Sequence, residues 1–384
     1  MSRVLFALLG GAEPPLAFQP DDWSRLLAFS DRTQLSLYLR GARGLPPQIE
    51  RQIEERFLRN EERRRRVEQI FREIHKSLAE RRLPFVVLKG FTHERGFGLA
   101  AGCRVQYDLD LLVQPDDKGA AALVLEGAGY RPHGQASLSD EHGRPWVRPF
   151  EWQWRGDYFD PEMPVAIELH DTVWSPAKDG ITFDGLERFW ERRVEMEVGG
   201  LRLPALAEVD RAAFAALHAL RHILRNDARV AHVWELAKLL EARAEDYAFW
   251  REWQTAHEAK LRLLQMAAFR FAQEWFAVRL PAALAGEAEA LPGPIASWFR
   301  EFAWSPVENL MRPNKDVLWL HFTLVDRMRE RIRVLNHRLL PLKPRHREQA
   351  AAGRDGLRNR LYYHAAAFFP ALARGARWWW RRAS

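Results

Sequence analysis

The sequence predicts an α+β fold: a small mixed sheet flanked by N-terminal helices and a larger all-helical C-terminal region. Three observations support it. Apolar residues recur at helical spacing before residue 80 and again from Glu208 onward. Between these stretches, short apolar runs bounded by turn residues alternate with helical segments. The chain has 384 residues, 47% of them hydrophobic, enough to build two or three cores. The expected division is residues 1–80, 81–204 and 205–384.

Met1 to Gly10 carries a short apolar stretch that charged helical sequence soon follows, so it reads as a first helix and not a leader. Asp21 and Asp22 suit the start of a helix through Trp23, Leu26 and Leu27. Pro46-Pro47 opens a longer helix, with Ile49, Ile53, Phe57, Val67, Ile70, Phe71, Ile74 and Leu78 at helical spacing. Arg63 to Arg66 lie within it among Glu61, Glu62 and Glu68, which favours a solvated face over a nucleic-acid patch. Strands are expected at 84–88, 107–113, about 147–155 and 164–170, and helices near 91–99 and 116–127. The third of these rests on the alternation Phe150-Glu151-Trp152-Gln153-Trp154. Gly129 to Gly143 reads as a polar loop, and Leu201–Pro204 as a short strand at a boundary. Ala212 to Leu224 and Val230 to Ala242 are amphipathic helices.

The chemistry concentrates in Tyr107-Asp108-Leu109-Asp110-Leu111-Leu112-Val113. A strand repeats every two residues, so Asp108 and Asp110 point to one face. Two adjacent carboxylates repel and resist burial unless a cation joins them, and hard divalent ions prefer oxygen. The alternative is a polar strand edge with two solvated acids. Upstream, the apolar run Pro84 to Leu88 ends in Lys89-Gly90, a turn where backbone can approach a ligand. Downstream, Glu168 and His170 share a face of the run Val165 to His170. Three acids and a Lys-Gly turn are the parts required for two-metal phosphoryl transfer.

Leu88-Lys89-Gly90, Arg104 ahead of Asp108-Leu109-Asp110, and Ile167-Glu168-Leu169-His170 together resemble the uncharacterised bacterial nucleotidyltransferases of the polymerase-β-like superfamily. The likeness is closest over residues 80–175. It implies a nucleotidyltransferase palm and Mg²⁺-dependent transfer of a nucleoside monophosphate from an NTP such as ATP, with two ions. Asp108, Asp110 and Glu168 would be the metal ligands and catalytic acids. Gly90 would lie against the nucleotide phosphates, Lys89 and Arg104 would contact phosphate or substrate, and His170 would orient Glu168 or the acceptor. The sequence departs from the wider superfamily at Phe91, where Ser or Gly usually follows the turn glycine; Thr92 comes one residue later.

Other features bear on partners. The formal net charge is +7, supplied almost entirely by arginine, and suits nucleotide, nucleic acid or anionic lipid. Arg374 to Arg382 sets Trp378, Trp379 and Trp380 among arginines; it suits a membrane interface, a nucleic-acid stacking surface or a docked helix. A single cysteine, Cys103, excludes an internal disulfide and fits the cytoplasm. His218 and His222 share a helix face, and His232 and Glu235 follow on the next helix. The readings are a metal site, a polar helix–helix contact, or a face that closes over substrate. The metalloprotease pattern fails because Ala219, not glutamate, follows His218. Competing functions are a non-catalytic protein that binds nucleic acid or anionic membrane through its arginine-rich helices, and a kinase using the same metals. The acceptor (small molecule, sugar, peptide, protein or RNA) is not encoded in these motifs.

Overall fold

The computed structural model describes residues 1–15, 17–134, 143–310, 314–339, 361–362, 365–366 and 369–378. Helices α1 (Ser2–Leu9) and α2 (Pro20–Arg32) lead to α3 (Pro47–Glu80). Gln19 and Asp22 form a capping box at the start of α2, and Pro47 fixes the first turn of α3. A seven-stranded mixed sheet follows among the described residues. Its strands are β1 (Val86–Val87), β2 (Asp108–Leu112), β3 (Arg131–Pro132), β4 (Trp146–Val147), β5 (Ala166–His170), β6 (Val194–Val198) and β7 (Leu201–Ala205). Their spatial order is β3-β4-β5-β2-β1-β7-β6. The β2–β5 and β1–β7 pairs are parallel; the others are antiparallel.

Period-two patterning divides the central strands between two cores. Leu109 and Leu111 of β2, with Val87, Ile167 and Leu169, pack beneath Val67, Phe71, Ile74 and Leu78 of α3 and against α5 (Lys118–Gly127). The intervening Asp108, Asp110, Glu168 and His170 therefore emerge on the opposite face. Val86, Leu88 and Leu112 join the larger core there, formed with the C-terminal helices. Short helices α4 (Phe91–Gly96), α6 (Pro176–Asp179) and α7 (Glu187–Glu191) connect the strands. The helical region is built on α8 (Glu208–Leu224), α9 (Val230–Ala242), α10 (Tyr247–Ala256) and α11 (Ala259–Phe276), with helices Gly293–Phe302, Val317–Leu324 and Met328–Leu339 beyond.

Several expectations need correction. The strand expected at 147–155 stops at Val147. Its aromatic alternation serves local packing instead: Trp152 Nε1 donates to Asp160 Oδ2 at 2.8 Å, and Trp154 meets Tyr158 edge-on. The expected polar loop contains β3, while residues 135–142 lie outside the described residues. Strand β6 is unanticipated; Gly199 and Gly200, both at positive φ, turn it into β7. Strand β7 lies inside the sheet, between β1 and the edge strand β6.

Arg63 is not on a solvated face. It is buried, and its guanidinium donates to the carbonyls of Gln106 at 2.9 Å and Met163 at 2.8 Å. It thus ties α3 to the segment entering β2. Near the C-terminus, Arg374 pairs with Asp316 at 2.8 Å, and Trp378 is buried and donates to Ser297 Oγ. Those two residues belong to a docked helix; Trp379, Trp380, Arg381 and Arg382 lie outside the described residues. Among the described residues, no helix is long and apolar enough to cross a membrane.

Candidate active site

Strands β2 and β5 run parallel in a register that sets Asp110 beside Glu168, Asp108 beside Ala166 and Leu112 beside His170. Asp110 and Glu168 are thus cross-strand neighbours on one face, with Asp108 and His170 two residues away along each strand. The Lys89 ammonium lies 3.4 Å from Asp108 Oδ2 and 3.1 Å from Asp110 Oδ2. His170 Nε2 lies 3.0 Å from Asp110 Oδ1 and 3.7 Å from Glu168 Oε2. Asp110 is 3% exposed, whereas the Asp108 side chain keeps 29% of its surface.

Charge is finely balanced here. Burial and the neighbouring Asp110 charge push the Asp108 carboxyl up, and Lys89 only partly offsets them. Burial also works against an ionised Asp110, but Lys89 and His170 outweigh it and hold the carboxyl below its ordinary range. Burial would lower the Lys89 ammonium; Asp108, Asp110 and Glu168 together raise it. His170 behaves alike: burial lowers it, while Asp110 and Glu168 bring it up to about 9, so it is an imidazolium at neutral pH.

The donor set fits a hard divalent cation. Asp110 Oδ2 is buried and forms no aligned hydrogen bond, although Lys89 is near. Carboxylate oxygens of Asp110 and Glu168 lie within 4.8 Å of each other. Added positive charge would ionise Asp108 more fully and give Asp110 Oδ2 a directed bond beside its ion pair with Lys89. Carboxylate oxygens are the ligands Mg²⁺ favours.

The glycine turn flanks this face. Gly90 has φ 75°, and a Cβ there would collide with the Gln106 side chain, whose amide donates to the Asp108 carbonyl. Phe91 replaces the familiar small residue because it packs into the α3 core against Phe71, with ring centroids 5.8 Å apart. Thr92 is fully buried, and its hydroxyl has no hydrogen-bond partner. A narrow cleft beside the turn is lined by Asn60, Arg64, Gly90, Glu94, Arg104 and Gln106.

Arg104 sits differently from its neighbours. Its Nε lies 3.0 Å from Glu235 Oε1, an ion pair without hydrogen-bond alignment. His93 Nδ1 meets the other oxygen of Glu235 at 2.6 Å. Glu235 of α9 therefore clamps the segment leading into β2, through Arg104, and the helix after Gly90, through His93. Glu235 follows His232 on α9 and His93 belongs to no motif; no local pattern in either segment marks a contact 142 residues apart. Cys103 is buried against the Leu37 carbonyl, and burial pushes its thiol up to about 11, as befits a packed residue and not a nucleophile.

A family model described as uncharacterised nucleotidyltransferase matches residues 19–277. The chain belongs to this nucleotidyltransferase family. The matched span begins before α2 and ends beyond α11, so it takes in the sheet and the helices packed on its acidic face. Membership makes the general chemistry of this nucleotidyltransferase the transfer of a nucleotidyl group, and implies a nucleotide substrate. A comparison with curated proteins returned no match.

Proposed function

We propose that the chain is a Mg²⁺-dependent nucleotidyltransferase that moves a nucleoside monophosphate from an NTP to an acceptor, with Asp108, Asp110 and Glu168 as the catalytic acids. The register between β2 and β5 carries this reading, because it gathers Asp110, Glu168, Asp108 and His170 on one face beside a glycine turn. Mg²⁺ held by the three carboxylates, as two ions, would offset triphosphate charge and lower the barrier to attack at the α-phosphorus.

The chain's own groups have distinct tasks. Lys89 neutralises the acids and holds a nearly buried ammonium against them, which a phosphate oxygen can share. Gly90 is assigned to the phosphates through its backbone, in a positive-φ turn that glycine adopts freely and whose Cβ space Gln106 fills. His170 donates toward Asp110 and Glu168 and so fixes both carboxylates. Arg104, held by Glu235, adds a fixed positive charge behind the acids and is assigned to phosphate or substrate. The acceptor oxygen replaces pyrophosphate at the α-phosphorus.

Calorimetric titration of ATP, CTP, GTP and UTP, with and without Mg²⁺, tests the reading in wild type and Asp108→Ala/Asp110→Ala. Metal-dependent binding of at least one nucleotide, lost in the variant, is expected. Equal binding by the variant would remove the acids from the site. Release of pyrophosphate on turnover distinguishes this chemistry from that of a kinase, which releases a nucleoside diphosphate.

A further inference from the structure

Three imidazoles converge where α8 meets α9. His218 and His222 are one turn apart on α8, and His232 lies near the start of α9. One ligand nitrogen from each falls within 4.8 Å of the others. Ring centroids are 4.7 Å apart for His218 and His222, 4.5 Å for His218 and His232, and 5.5 Å for His222 and His232. The rings therefore face a common point.

We infer that His218, His222 and His232 form a second metal site, which takes one transition-metal ion of the Zn²⁺ class through three imidazole nitrogens. Four details support it. First, His218 Nε2 and His222 Nε2 are 3.3 Å apart. Two nitrogens bound at about 2 Å to one tetrahedral ion are separated by about 3.3 Å, so this edge is already formed. Second, His222 Nδ1 faces Asp227 Oδ2 at 3.4 Å. A carboxylate behind a histidine fixes the tautomer that leaves Nε2 free to ligate, as at many metal centres. Third, a histidine–histidine hydrogen bond accounts for two rings at most. The third does not fit that explanation: His232 Nδ1 is buried without a hydrogen-bond partner. Fourth, burial holds all three rings below their ordinary value, and hence neutral at pH 7, the form that ligates.

Ligand chemistry separates the two sites. The acids offer oxygen to Mg²⁺, whereas three imidazoles select Zn²⁺, Co²⁺ or Ni²⁺. With three neutral ligands the ion keeps its double charge and one open position, suited to water or an anionic oxygen. His222 and His232 retain partial exposure, which provides an entry path. Lys89 acts electrostatically on both His218 and His232, so the cluster adjoins the acidic face. The inference does not depend on nucleotidyl transfer.

The full-length protein would be stripped with a chelator and titrated with Zn²⁺ and with Co²⁺ in excess Mg²⁺. Metal content and the visible Co²⁺ spectrum would be read in wild type and in three variants. One ion per chain is expected, with the intense visible bands of four-coordinate Co²⁺. His232→Asn should weaken binding at least about 100-fold, and Asp227→Asn about 10-fold. Asp108→Ala/Asp110→Ala should retain the ion, which separates this site from the acids. Should His232→Asn fail to fold, paramagnetically shifted imidazole N–H resonances of the wild-type Co²⁺ protein decide the matter, with three expected. No Zn²⁺ or Co²⁺ bound at micromolar concentration, binding unchanged in a folded His232→Asn, or binding lost in the acid variant would each overturn the inference.

Discussion

Replacing Asp110 with asparagine keeps the shape of the side chain and removes its charge. The amide oxygen can still face Lys89, but the amide nitrogen then faces His170, which can no longer donate there. His170 is the group through which the loss can be measured. Its folded value of about 9 against an ordinary 6.5 reflects Asp110 and Glu168 overcoming burial. At pH 7 that difference is worth on the order of 2–3 kcal/mol of folding stability, most of it expected to disappear with Asp110. Denaturant unfolding at pH 7 should therefore report a loss of about 2 kcal/mol for Asp110→Asn. Mg²⁺-dependent nucleotide binding should weaken at least about 100-fold, since a charged ligand is lost. NMR titration of the His170 imidazole should show its value falling toward 6.5. A variant with wild-type stability, a His170 value still near 9 and intact nucleotide binding would refute the electrostatic account of the site.

Two further outcomes follow from the same geometry. Gly90→Ala places a Cβ against Gln106 at a positive φ and should cost about 1–3 kcal/mol in chemical denaturation while weakening nucleotide affinity; unchanged stability and affinity would show that the turn is not constrained. Stability of the metal-free protein should peak near pH 6.5 and fall on both sides. The raised His170 contributes stability that is complete below 6.5 and is lost as pH rises through about 9. His321, lowered to about 3 by burial and then Arg338, contributes stability present above 6.5 and lost as pH falls through about 3. Denaturation midpoints across pH 5–9 check this, and a steady rise to the alkaline limit contradicts the His170 assignment.

Local periodicity made part of the site legible. A strand repeat of two is enough to place Asp108 with Asp110, and Glu168 with His170. The same pattern assigns Leu109 and Leu111 to the face beneath α3. Helical spacing puts His218 and His222 on one side of α8. These statements concern residues within a few positions of each other, where backbone geometry alone decides. The aromatic alternation at Phe150 to Trp154 misled because it lacks a partner strand beyond Val147, and an isolated alternating run has nothing to pair with.

Tertiary structure decided everything that depends on distance along the chain. The parallel register brings Glu168 beside Asp110, and a slip of one residue would have turned it to the α3 core. Only packing reveals that Arg63 is a buried strut rather than a solvated arginine. Only packing sets Arg104 against Glu235 and brings His232 to the histidine pair. The sequence by itself determined which groups are chemically capable and which share a face, since both follow from composition and backbone period. Partner choice among the charged and ligating side chains came from the approach of α9 to the sheet and to α8, because buried charges must find partners wherever the fold places them.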